Sequence, residues 1–344
     1  MKQQFRNTTF RGEHSYTLIE HADNILSEYR GTYEITLRGL YYQFVARDLF
    51  PESWQDPKTG STNNQKSYDK LGKLLTDARY AGLIDWDDLR DNTRELTGDH
   101  YNYDAPARML KDYANNYLRD LWQEQDVRLE LWFEKDAIEG VAGPAARRFG
   151  VPYYSTRGYS SVTAIKDRAD EFANIIAGGQ GVMILDLRDH DPSGMDMTRD
   201  AEERVKEFLG PDLAEGFAVN RIGLNMSQIR RYNPPSNPAK VTDDRAHGPN
   251  GYIAKYGTLS WELDALDPKV LDNLISTTIK AAITDAPAYN RQVARQNTGR
   301  ARIKEIARNW HSVRRYLDQM PTIDEPQKGI GFSNEEPDDE DNDE

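Results

Sequence analysis

The chain has 344 residues, a formal net charge of −13, six scattered histidines and no cysteine. That length accommodates two domains, each with its own core, and the missing cysteine excludes disulfides, thiolate zinc sites and cysteine nucleophiles. No apolar run approaches the roughly 18 residues of a membrane span and no apolar stretch follows the basic residues of the N-terminus, so a soluble cytoplasmic protein is expected.

In chain order, residues 14–30 read as a helix, with Leu18, Ile19, Ala22, Ile25 and Leu26 at helical spacing and Gly31 closing it. A short β-prone stretch, Tyr33 to Leu37, leads into a second helix through Phe50, where Pro51 ends it. Residues 52–64 are rich in turn formers and read as a loop. A third helix, about Gln65–Tyr80, sets Leu71, Leu75 and Ala78 on one side and Lys66, Lys70 and Lys73 on another. On pattern alone a small helical bundle with solvated lysines is the favoured reading of this region. A winged-helix or helix-turn-helix unit, whose last helix enters the major groove, is the other. Residues 37–94 carry nine Lys/Arg and nine Asp/Glu, so the region has no bulk positive field.

From about Asp126 the pattern changes. Val127, Leu129, Leu131 and Phe133 alternate with Arg128, Glu130, Trp132 and Glu134, a strand period. Then follow helical residues 136–148, a strand near Val151–Ser155, a helix over about 161–177, the apolar strand Gly181–Leu185, a helix over about 195–209 and the strand Phe217–Ile222. Strands alternating with helices predict a parallel sheet in a three-layer α/β domain. Residues 230–250 read as an ordered connector, and 261–285 and 288–317 as helices. Beyond Pro321 little order is expected, because the tail is acidic and poor in apolar residues.

The charge is blocked rather than spread. Eight of the last ten residues are acidic, so the remainder of the chain carries about −5, and residues 291–315 hold eight Lys/Arg against one acid, Glu305. A basic stretch followed by an acidic tail suggests a polyanion partner with which the tail competes, or simply a solubilising tail.

Functional groups in open α/β sheets collect at the carboxyl ends of strands. Glu134 ends the first strand of this region, and Asp189 and Asp191 follow the third. Such acids repel one another unless a cation neutralises them, and all-oxygen ligation suits Mg²⁺ better than Zn²⁺. An isolated Asp-x-Asp says little, since aspartates after strands also cap turns.

The combination is more specific. Phe133-Glu134-Lys135-Asp136-Ala137, followed two β/α units later by Asp189-His190-Asp191-Pro192-Ser193-Gly194, resembles the Toprim domain. Within that group it is most similar to the A subunit of topoisomerase VI and its relative, the meiotic double-strand-break transesterase. Upstream, Thr36-Leu37-Arg38-Gly39-Leu40-Tyr41-Tyr42 resembles the Thr-x-Arg-x-x-Tyr-Tyr stretch of the same family's winged-helix domain. The resemblance runs from about Ile35 to Asp191, more loosely through Arg221 and the Trp261–Leu266 stretch. It does not extend to the polar residues Glu130 and Trp132 of the first strand, to the C-terminal region or to the acidic tail, as in a compact stand-alone relative.

The resemblance implies an α/β fold with an N-terminal winged helix (1–100), a helical connector (101–125), a Rossmann-like Toprim sheet flanked by helices with C-terminal helices (126–317) and an acidic tail (318–344). It implies Tyr42 as the nucleophile, Arg38 one turn earlier as its electrostatic partner, and Glu134, Asp189 and Asp191 as ligands of Mg²⁺. Lys66, Lys70, Lys73 and Arg79 would contact phosphates of double-stranded DNA. It implies a homodimer in which the tyrosine of one protomer meets the metal of the other, and a separate GHKL-type ATPase B subunit if ATP is used. The setting would be the nucleoid of a bacterium, an archaeon or a mobile element. Two rival readings stay open: a Toprim nuclease that hydrolyses DNA with an activated water while Tyr41 and Tyr42 only pack, and a DNA-binding protein that no longer cleaves.

Overall fold

The computed structural model describes residues 2–89, 102–158 and 162–320. The chain divides into two compact units, one of Met1–Asp99 with Arg119–Ala294, the other of His100–Leu118 with Arg295–Glu344. Of the expected connector, residues 102–118 thus group with the C-terminal segment and residues 119–125 with the first unit. No helix among the described residues is long and apolar enough to cross a membrane.

The first unit opens with α1 (Ser15–Tyr29), α2 (Leu37–Ala46) and α3 (Gln65–Tyr80). Their apolar faces, among them Leu18, Ile25, Leu40, Phe44, Leu71 and Leu75, meet in one core. Side chains cap two of these helices: Thr36 accepts from the Gly39 amide at 3.2 Å and Asn64 from the Ser67 amide at 2.9 Å, each satisfying an amide with no partner inside its helix. Tyr33–Leu37 makes no strand. Ile35 forms a single bridge with Leu89, and Thr36 already caps α2. That helix stops at Ala46 instead of reaching Phe50, because Asp48 takes a left-handed backbone conformation (φ 50°) and turns Phe50 back to pack on Phe44 and Trp54. No β-hairpin follows α3 among the described residues, so what is visible here is a three-helix unit.

The rest of this unit is built on a fully parallel sheet of β1 (Val127–Phe133), β2 (Tyr153–Ser155), β3 (Gly181–Leu187) and β4 (Phe217–Gly223), in the order β2-β1-β3-β4. One face, with Leu131, Phe133 and Leu185, packs on α5 (Glu139–Arg147) and α10 (Pro268–Ala281). The other, with Trp132, Val182 and Ile184, packs on α6 (Val162–Ala177) and α7 (Pro192–Ala214). The latter helix starts three residues earlier than its periodicity suggested and breaks at Gly210, whose φ is 72°.

Because both faces of β1 are covered, its alternation does not separate core from solvent. Trp132 is fully buried, and Glu130 is buried beside it, ion-paired with Arg168 of α6 and accepting from Trp132 Nε1 at 2.9 Å. The polar residue in this buried strand is therefore tolerated because its charge is paired.

The connector after β4 holds α8 (Met226–Tyr232), β5 (Ser236–Pro238) and α9 (Tyr252–Tyr256). It ends in β6 (Leu259–Trp261), antiparallel to β5. In the second unit, α4 (Pro106–Tyr113) precedes a turn that meets the C-terminal part of α11 (Ala286–Arg308). There Arg300 Nε donates to the Tyr117 carbonyl at 3.0 Å, and Gly299 gives the Tyr117 ring room that a Cβ would fill. Asn309 separates α11 from α12 (Trp310–Leu317), so 288–317 is two helices and not one. The acidic tail lies outside the described residues.

Candidate active site

From β1 the chain goes to β2 on one side and then returns to β3 on the other, so the reversal in strand order falls between the carboxyl ends of β1 and β3. A crevice for ligands opens at such a point. Glu134 directly follows β1. Asp189 lies two residues beyond β3, and Asp191 caps α7, its Oδ1 accepting from the Gly194 amide at 2.6 Å.

Arg221, from β4, holds the turn between β3 and α7. It donates to the carbonyl of Asp189 at 2.6 Å, to that of Gly194 at 2.9 Å and to the Thr198 hydroxyl at 2.6 Å. Burial lowers its pKa from the ordinary guanidinium value, yet it remains a fixed positive charge behind the acids. Gly194 is the close approach in this turn, since a Cβ there would overlap the Asp189 carbonyl oxygen. Gly194→Ala is expected to destabilise the fold by about 1–3 kcal/mol, the usual range for overpacking. Urea denaturation measures this, and an unchanged midpoint would contradict the tight turn.

The acids differ in their surroundings. Asp189 is committed on both oxygens: Oδ2 lies 2.8 Å from Lys135 Nζ and Oδ1 accepts from the Leu263 amide at 2.9 Å. Glu134 and Asp191 have no ion-pair partner among the described residues. Burial, followed by the charge of Asp189, pushes Glu134 above the usual carboxylate range. Burial also raises Asp191, partly offset by its helix cap. Among the described residues no group of three or more histidine, aspartate or glutamate side chains is gathered closely enough to hold a metal ion. The reason is visible in the partners: Asp189 turns to Lys135 and Leu263, and Asp191 turns to its own helix.

Tyr42 and Arg38 come from α2. Arg38 Nη2 donates to the Tyr42 hydroxyl at 3.3 Å, and the same guanidinium is ion-paired with Glu262 and lies 2.9 Å from Asp264. Lys135 reaches the same two acids, at 2.7 Å and 3.5 Å. A continuous run of charges therefore links Tyr42 through Arg38, Glu262 with Asp264, and Lys135 to Asp189. Burial, then the charges of Asp264 and Glu262, raise the Tyr42 phenol, with Arg38 opposing them. Burial raises the Asp264 carboxyl above the usual carboxylate range, with Lys135 and Arg38 opposing it. At Glu262 burial is outweighed by Lys135 and Arg38, and the carboxyl is held low. Tyr41 has a different surrounding: its hydroxyl meets Asn63 Oδ1 and the Asn64 carbonyl, both at 3.1 Å, and its ring packs on Tyr68.

These residues line one cleft of about 870 Å³, which receives Arg38, Tyr41 and Tyr42 from α2, Asn64 and Gln65 from the start of α3, and Glu134, Asp189 and Asp191 from the sheet. None of the four expected phosphate contacts is part of that lining. Lys66 and Lys73 are exposed, Lys70 has its Nζ 4.8 Å from the Trp54 ring, and Arg79 donates to the Trp86 carbonyl at 2.8 Å. Lys135, Arg221, Glu262 and Asp264 are the site residues to which sequence reasoning assigned no role. A signal existed for two of them: Glu262 and Asp264 interrupt the apolar stretch Trp261–Leu266, and a buried acid requires a partner.

His190, between the two aspartates, faces away from the cleft into a nest of Tyr252, Tyr256 and Trp261, its Nδ1 2.8 Å from the Tyr252 hydroxyl. Burial, followed by the Arg221 charge, pushes its pKa from 6.5 down to about 4. Its folded-state value is depressed, so its contribution to stability is complete above pH 6.5 and lost as pH falls toward 4. Thermal unfolding is expected to show a loss on the order of 2 kcal/mol across that window. His190→Gln would remove this slope, and an identical slope in that variant would show that other groups cause it.

Comparison with protein-family models, with curated proteins and with solved structures returns no match to this chain.

Proposed function

We propose that this chain cleaves double-stranded DNA by transesterification in the manner of the topoisomerase VI A subunit, with Tyr42 as nucleophile and Glu134, Asp189 and Asp191 as ligands of Mg²⁺. One observation carries the reading: two motifs far apart in the sequence, Arg38 with Tyr42 and Glu134 with Asp189 and Asp191, line the same cleft. The Tyr42 oxygen attacks a backbone phosphorus as its proton passes to solvent in the cleft, a Tyr42–phosphate bond forms, the bond from phosphorus to the sugar oxygen breaks, and that oxygen takes a proton from solvent. The phosphotyrosyl bond conserves the phosphodiester, so the reverse step reseals the strand.

Arg38 lies beside the attacking oxygen and supplies fixed positive charge to the pentacovalent state. Its present partners, Glu262 and Asp264, keep it in place. A phosphate entering the cleft competes with them for the guanidinium, which also leaves Arg38 freer to support the phenolate. The three acids offer only oxygen donors, the kind a hard divalent cation takes, although among the described residues they are not gathered into a metal-holding group. Glu134 and Asp191, whose carboxyls are raised by burial and by Asp189, favour a cation nearby. Bound Mg²⁺ would supply Lewis-acid stabilisation of charge on the phosphate and the leaving oxygen. Lys135 neutralises Asp189 in the arrangement described here.

In this reading α1 to α3 form the helix-turn-helix part of a winged-helix domain. The exposed Lys66 and Lys73, with Lys70, contact phosphates outside the cleft without reading bases. Cutting both strands takes two chains, as a homodimer supplies, and ATP use would need a separate GHKL-type subunit.

The test is incubation with supercoiled plasmid and Mg²⁺, quenched in detergent. The expected product is nicked or linear DNA with protein bound to its ends. A second reading is favoured by one observation, the burial of Tyr42, which is only 3% exposed: a Toprim-type nuclease in which water attacks and Tyr42 packs. That reading yields the same cuts with protein-free ends, and such ends would overturn the tyrosine assignment.

A further inference from the structure

We infer that the second unit's part of α11 is a contact surface for double-stranded DNA, one that holds the duplex by its phosphates, outside the cleft and without regard to sequence. The inference rests on the reading of DNA as the substrate and extends it to a region that the cleavage chemistry does not use.

The charge on α11 is arranged differently from that on α6 and α7. There the cations are matched by acids about one turn away: Lys166 with Asp170, Arg199 with Asp196 and Lys206 with Glu202, each at 2.6 Å. On α11, Arg295, Arg302, Lys304 and Arg308 have no ion-pair partner among the described residues. Arg300, Lys304 and Arg308 follow one another at four-residue spacing, so like charges meet on successive turns, an arrangement that destabilises a helix. Arg295 and Arg302, two turns apart, form a second row. Phosphates laid against these rows remove the repulsion.

The rest of the helix surface fits the same partner. Between the rows the outward side carries Asn297, Thr298 and Ala301, all exposed and small, so an approaching backbone meets no bulky side chain. The opposite side is occupied by protein: Gln296 and Ala307 are buried, and Gly299 lies against the Tyr117 ring. No continuous apolar face is left on α11 to enter a lipid surface.

Spacing decides the kind of anion. At a rise of about 1.5 Å per residue, neighbouring cations within a row lie about 6–10 Å apart along the axis, too far apart to grip one phosphate group. The run from Arg295 to Arg308 covers about 20 Å, roughly the length of six base pairs. The partner is therefore an extended polyanion with regularly spaced charges, as duplex DNA is.

The experiment measures binding of the full-length chain to short duplexes of two unrelated sequences, in EDTA so that no cleavage intervenes, over a range of potassium chloride concentrations. Each phosphate contact contributes about 0.9 to the slope of log affinity against log salt. The variant Arg295→Gln, Arg302→Gln, Arg308→Gln should therefore lose between about two and three units of slope and bind both duplexes about a hundredfold more weakly at roughly 0.1 M salt. The same three positions changed to Lys should bind within a few-fold of the wild type, because the contact is made by charge. Each single Arg→Gln change should lower the slope by about 0.9, which keeps the test intact if the triple variant fails to fold. A control of equal charge, Lys166→Gln, Arg199→Gln, Lys206→Gln, should leave the slope unchanged.

Equal slopes for the wild type and the Gln variant overturn the inference, and so does an equal loss in the Lys variant. Unchanged DNA binding with lost binding to phosphatidylglycerol vesicles gives the surface to lipid and also overturns it. A difference that emerges only after residues 335–344 are deleted gives the surface to the acidic tail, with the same consequence. A wild type that binds duplex as expected yet forms no adduct with Mg²⁺ refutes the tyrosine chemistry alone and leaves this surface supported.

Discussion

Tyr42→Phe is expected to lower the yield of covalent protein–DNA adduct by about 10⁴-fold or more, the scale on which removal of an attacking group acts. The fold should survive, because the ring stays packed and what is lost with the hydroxyl is a long contact, 3.3 Å from Arg38, and a hydrogen bond to the Glu262 carboxylate, which keeps Arg38 and Lys135 as partners. Its loss should change stability by about 1 kcal/mol or less. Adduct is read as DNA retained with protein in detergent gels, and stability by urea denaturation of the same preparation. A variant that folds normally and still forms adduct would sink Tyr42 as nucleophile. A variant that still cuts but leaves protein-free ends identical to those of the wild type would establish hydrolysis by water.

The second large effect is expected at Lys135. Its ammonium contacts Asp189, Glu262 and Asp264, and its side chain is only 24% exposed. Those acids raise its pKa despite a burial that acts the other way, so it is charged throughout the working pH range. Lys135→Ala would leave Glu262 and Asp264 sharing Arg38 and would take from Asp189 the ammonium it pairs with, and loss of one partner in a buried charge network costs about 3–5 kcal/mol. The variant should also respond more strongly than the wild type to added Mg²⁺, because a ligand that binds the folded state raises its stability by mass action. Thermal unfolding with and without millimolar Mg²⁺ measures both effects. Equal melting temperatures for the two proteins without Mg²⁺ would show that Lys135 does not hold the acids together, and an equal Mg²⁺ response would argue against Asp189 as a metal ligand.

Much of the architecture was legible because its signals are local. The bounds of α3 were read to the residue and those of α1 to within one, since helical periodicity and caps act over a few positions. The four sheet strands were found in order from short apolar or alternating runs. Local reading misjudged Tyr33–Leu37, where β-prone residues are overridden by the Thr36 cap and the helix it starts. It also missed the early stop of α2, which depends on a left-handed Asp48 and on aromatic packing around Phe50. Glu130 in β1 looked too polar for a buried strand only because its partner, Arg168, is 38 positions away.

By itself, then, the sequence determined the alternation of strands and helices, the seating of Glu134, Asp189 and Asp191 just beyond strand ends, and the company of Arg38 and Tyr42 on one helix. Only the tertiary structure decided that β1 lies beside β3, which brings those acids to one crevice, because strand order depends on crossovers and not on any residue within a strand. Only it decided that Glu262 and Asp264, more than two hundred positions from Arg38, are the groups that pair with it. A buried charge takes whichever opposite charge the fold delivers within a few ångströms, and nothing in its own sequence neighbourhood names that partner.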